Sequence, residues 1–141
     1  MQVLKVLSDI WKSGAEMNLL DSDEIELKHH EKVPAETMKA AQEIFPQIEE
    51  WFRSWKNATP VEITIRKALH LFMGWERNDK LNKWLCDDKE SLFLLHDWTI
   101  VLAEMGWVDI YEDYRQYENE ESKTMAKEFY DRAMAYARGD K

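Results

Sequence analysis

The chain has 141 residues, 45% of them hydrophobic, enough to bury a core without staples, and its single cysteine, Cys86, excludes an intrachain disulfide framework. With 28 acids against 19 bases the net charge is −9, which argues against direct nucleic-acid binding, because phosphate recognition rests on a basic surface. No apolar run is long enough to span a membrane, and MQVLKVLSDIWK has neither an apolar h-region nor a small-residue cleavage site, so a cytoplasmic protein is expected.

Residues 2–13 place Val3, Leu4, Leu7, Ile10 and Trp11 at helical spacing, and Ser13-Gly14 supplies a stop. The period then drops to two. Met17 and Leu19 alternate with polar residues, as do Ile25 and Leu27, and Asp21-Ser22-Asp23 separates the pairs, which predicts a short β-hairpin with one apolar face. Pro34 opens the next helical pattern, PAETMKAAQEIFPQIEEWFRSW, in which Pro46 demands either a kink or a junction of two helices.

Thr59-Pro60-Val61-Glu62 reads as a capping box, followed by a helix that ends near Gly74. ERNDKLNKWL continues or restarts it, and Asp87 with Glu90 suggests a cap for SLFLLHDWTIVLAEM, residues 91–105. That stretch is apolar at almost every angle, so the pattern predicts a helix buried in the middle of a packed domain, stopped by Gly106 with Trp107 behind it. The tail predicts two helical stretches broken near Asn119, the last with Met125, Phe129, Ala133 and Tyr136 or Ala137 inward.

Charge is unevenly spread. Glu104 to Glu121 holds seven acids and one base, whereas Arg53 to Lys89 holds eight bases and five acids. Phosphate-loop, nucleophile-elbow and HExxH motifs are absent. Cys86 precedes Asp87-Asp88, where adjacent acids oppose a thiolate. His29 and His30, at the end of the predicted second strand, are expected to face opposite sides, and His70, Glu76, His96, Asp97 and Glu104 lack the repeated Glu-x-x-His spacing of carboxylate-bridged bundles. The expectation is therefore no catalytic residue, metal or cofactor. Of the seven tryptophans, Trp55 and Trp84 lie beside Arg53, Lys56 and Lys83 and are expected to be partly exposed, as interaction hot spots are.

The order helix, Gly14, hairpin and proline-started helix, with Leu4, Leu7, Met17, Leu19, Ile25, Leu27, Met38, Ile44, Ile48 and Phe52 as its apolar positions, resembles the TubC-type N-terminal docking domain over about residues 3–52. The resemblance implies an α-β-β-α module whose hairpin edge receives a strand from a partner protein. Modules of this kind look to be common in small mobile-element proteins. This chain departs from the family in carrying no obvious basic residue near Pro46 and no following synthetase domain within these residues.

The expected fold is α+β and mainly α: a helix–hairpin–helix unit over 1–57 and a helical bundle over 58–141 around residues 91–105. The expected function is a non-enzymatic adaptor or inhibitor that binds a protein partner. Candidate contacts are the hairpin edge (Met17, Leu19, Ile25, Leu27), Trp55 and Trp84, and an acidic ridge of Asp109, Glu112, Asp113, Glu118, Glu120 and Glu121. The greasy hairpin edge also suits pairing with its own copy. The alternative is a phage or mobile-element inhibitor, anti-CRISPR-like, that mimics nucleic-acid charge to block a basic partner; the third reading is a metal-dependent bundle enzyme.

Overall fold

A computed structural model describes residues 3–139, which hold seven α-helices and one two-stranded antiparallel sheet, an α+β fold that is mainly α. Residue 2 of the first predicted helix lies outside them. The described residues fall into two compact units: residues up to 58 with 74–76, and residues 59–73 with those from 77 onward.

In the first unit α1 (Val3–Lys12) buries Leu4, Val6, Leu7 and Ile10, and Gly14 ends it at φ +97°, a conformation only glycine adopts without strain. Strand β1 (Glu16–Leu19) pairs with β2 (Ile25–Lys28) in the register Met17 opposite Leu27 and Leu19 opposite Ile25, so the alternating apolar residues share one face. Leu20 N donates to Glu24 O at 2.8 Å and Asp23 N to Leu20 O at 2.9 Å, with Asp23 left-handed at φ 69°, which makes the connection a three-residue loop. The Asp23 carboxylate is paired with Lys56, which holds it below the usual carboxylate range.

The predicted long helix is two. α2 (Ala35–Glu43) and α3 (Phe45–Ser54) meet at Ile44, which leaves helical geometry at φ −117°, ψ 22°, and Pro46 falls in the first turn of α3, where its missing N–H has no intrahelical partner to lose. α1 packs on α2, β1 and α3. Trp51 links Trp11 and Trp55, with ring centroids 6.3 and 6.0 Å away.

In the second unit the capping box is formed as read: Glu62 N donates to Thr59 Oγ1 at 3.1 Å and Thr59 N to Glu62 Oε1 at 3.0 Å, opening α4 (Pro60–Phe72). Asn78 caps α5 (Asp79–Asp87). The cap of α6 (Lys89–Glu104) is Asp88 and not Asp87: its Oδ1 accepts from Ser91 N at 3.3 Å and its Oδ2 from Ser91 Oγ at 2.6 Å. The Ser91 hydroxyl lowers the Asp88 pKa.

The expectation that residues 91–105 are buried on nearly all sides is overturned. α6 buries one stripe, Ser91, Leu95, Trp98 and Leu102, against α5 and α7 (Glu120–Ala137). Phe93 and Ile100 on the opposite side are 62% and 44% exposed. The C-terminus closes as expected: Trp107 N donates to Leu102 O at 2.9 Å and Gly106 N to Ala103 O at 3.1 Å, with Gly106 at φ +113°, and Trp107 folds back onto the Trp98 ring. Of the two predicted tail helices the first is only a 3-10 turn (Tyr114–Tyr117), and the second is α7, capped by Asn119 and buried through Ser122, Ala126, Phe129 and Ala133.

Candidate interaction surfaces

The hairpin presents an open edge. Because Leu20 and Glu24 form a hydrogen-bonded pair, the ladder's alternation makes Asn18–Glu26 and Glu16–Lys28 the next such pairs. The peptide groups of Ile25 and Leu27 therefore point away from β1. Outside the ladder, no hydrogen bond among the described residues takes up their N–H or C=O groups. The side chains of the four predicted contact residues point elsewhere: Met17 is buried and Leu19, Ile25 and Leu27 are half-buried.

The acidic segment is less free than its charge suggests. Asp109 Oδ1 accepts from Tyr111 N at 3.0 Å, and Glu112 is hydrogen-bonded by the Tyr117 hydroxyl. Arg115 grips Asp113 with Nε 3.0 Å from each carboxylate oxygen. Tyr114 is buried, donates its hydroxyl to Glu62 O at 3.2 Å, and is pushed up in pKa by that burial. Burial and then the Glu62 charge raise the Glu118 pKa. Of the six ridge residues only Glu120 and Glu121, in the first turn of α7, are exposed, where they complement the helix dipole.

The Glu118 shift has a testable sign. A carboxyl whose folded pKa lies above its unfolded value opposes folding once ionised, so this group's contribution to stability falls as pH rises through the carboxylate range. Glu118→Gln is expected to raise Tm at neutral pH and to leave it unchanged in acid below that range. Thermal melts at both pH values check this.

Trp55 and Trp84 correct the expectation of partial exposure, being 7% and 2% exposed. On the same helix or turn Lys56 and Lys83 point about 100° away from the neighbouring indole and Arg53 about 160° away, so the charges do not report where the indole faces. Trp84 packs on Phe129, centroids 5.0 Å apart, and on Tyr136 at 6.2 Å. It still lines the floor of a groove of about 560 Å³. Among the described residues no three His, Cys, Asp or Glu side chains gather in a metal-ligating group. His96 is exposed beside Asp97, 3.9 Å away, and His70 is buried in α4. Cys86 is exposed on α5 and lines a second groove of about 670 Å³ with Phe72 and Phe93.

Two features escaped the sequence reading. One is the outward apolar stripe of α6, which was signalled by His96, Asp97 and Glu104 all falling on the same side of the helix as Phe93 and Ile100. The other is a set of lysines around the Trp84 groove, which come from two helices and share no local motif. No membrane-length apolar helix occurs among the described residues. Comparison with protein-family models, curated proteins and solved structures finds no match to this chain.

Proposed function

We propose that this protein is a non-enzymatic interaction module, an adaptor or inhibitor, that captures a protein partner by receiving an extended segment on the outer edge of β2. The observation that carries the reading is the pair of outward, unbonded peptide groups at Ile25 and Leu27, held on a hairpin that α1 and α3 support through β1. Main-chain hydrogen bonds supply the affinity in such strand addition, and alternate side chains supply the selectivity. The helix–hairpin–helix order by which the chain resembles TubC-type docking domains adds support. Charge mimicry draws less, since Asp109, Glu112 and Asp113 are engaged in their own turns.

Ile25→Pro tests the reading. Ile25 N–H takes no part in the ladder, so proline removes an outward donor while the hairpin and helices keep their bonds. Affinity capture is expected to retain the partner on wild type and on Ile25→Val, and to weaken by about tenfold or more on Ile25→Pro, the effect of one lost hydrogen bond plus a blocked edge. Circular dichroism monitors the helices. Equal capture by Ile25→Pro overturns the proposal, as does loss of capture on changing Glu118, Glu120 and Glu121 to Gln with the edge intact.

A further inference from the structure

We infer that the groove over Trp84 is a second binding site, one that takes an acidic amphipathic helix of a protein partner. The site lies wholly within the second unit and does not depend on the hairpin edge. Its floor is apolar: Leu81 and Trp84 from α5, and Met134 from α7. Its rim carries Lys67 from α4 and Lys80 and Lys83, three residues apart, from α5, and among the described residues no carboxylate lines it. All three lysines are exposed, and among the described residues none of them forms an ion pair.

In a chain of net charge −9, an apolar trough bordered by three uncompensated cations is complementary to one kind of visitor. That visitor has apolar side chains along one stripe and carboxylates beside it. The cations come from two helices, which suits several carboxylates on a helix and not one head group. Ala133 and Ala137, one turn apart on α7, keep that wall low enough for a helical backbone to approach. Helix-in-groove recognition uses this geometry: apolar anchors at i, i+3, i+4 and i+7 seat on the floor and the flanking charges meet the rim. At the tyrosine end the Tyr136 hydroxyl donates to Asp87 Oδ2 at 3.2 Å, which keeps that ring in place as an end wall.

A displayed library of amphipathic helices, leucine along one stripe and Asp, Glu, Ser, Lys or Arg at random beside it, tests the site on the full chain. Selection on wild type is expected to enrich acidic flanks. The enriched peptides are expected to bind about tenfold or more weakly to the Lys67→Glu, Lys80→Glu, Lys83→Glu triple variant, to weaken with salt, and to shift the methyl resonances of Leu81, Ala133, Met134 and Ala137. These exposed lysines leave the fold untouched, which circular dichroism verifies. Failure to enrich acidic flanks, equal binding by the triple variant, or shifts confined to other methyls overturns the inference. So does movement of the same methyls by oleate without any enriched helix, which gives the groove to a lipid, or by protein concentration alone, which gives it to a second copy.

Discussion

Trp98→Ala is expected to destabilise the second unit by about 3–5 kcal/mol, the usual result of removing a large buried aromatic side chain and leaving a cavity. Trp98 is 1% exposed and sits at the centre of the buried stripe of α6, edge-on to Tyr114 with centroids 5.0 Å apart and 6.3 Å from Trp107. Removing it strips the surface onto which Trp107 folds to complete the glycine-ended terminus, and it undercuts Tyr114, whose hydroxyl ties the 3-10 turn to Glu62 O. Trp98→Phe is expected to lose far less. The indole Nε1 is buried with no hydrogen-bond partner, so phenylalanine keeps most of the ring packing and abolishes an unsatisfied donor. Denaturant melts of the two variants check both the size of the loss and this ranking.

Leu7→Ala is expected to lose about 2–5 kcal/mol from the first unit, and with it partner capture. Leu7 is fully buried in α1, the helix that packs on α2, β1 and α3. A two-stranded hairpin is marginal alone, so β1 and β2 hold their register only while their apolar face is covered. Loosening α1 therefore releases the edge that Ile25 and Leu27 present. Fluorescence-monitored unfolding reads the stability, and capture at a temperature where the variant remains folded separates lost stability from lost binding.

The local punctuation of this fold was legible in the sequence because it rests on short-range chemistry. Gly14, the alternating Met17, Leu19, Ile25 and Leu27, the Thr59–Glu62 box and the Gly106–Trp107 stop each depend on residues within a few positions of one another, and each forms in the structure. Burial was less legible because it depends on which elements arrive from elsewhere. Residues 91–105 are apolar enough for a central helix, yet only one side receives neighbours, so Phe93 and Ile100 remain outside. Trp84 follows the reverse logic, drawn inward by Phe129 on a distant helix despite adjacent Lys83, and Trp55 packs on Trp51 one turn earlier despite Arg53 and Lys56.

The candidate site divided the same way. The hairpin edge was readable from period-two alternation, and the structure adds which peptide groups point outward. The acidic ridge was readable as composition alone; that Asp113 binds Arg115 and Glu112 meets Tyr117 follows from the path of the 106–119 loop, which no periodicity describes. Lys67 had to meet Lys80 and Lys83 across two helices, and α7 had to close the wall, before the lysine-rimmed groove existed.

Amide hydrogen exchange on the captured complex tests the strand-addition claim most directly. In the free protein the Ile25 and Leu27 amides, directed outward and unbonded, exchange faster than those of Asn18 and Glu26 in the ladder. With a strand added to this edge, partner binding slows Ile25 and Leu27 to the rate of their ladder neighbours. Unchanged exchange at both amides in a saturated complex would contradict it.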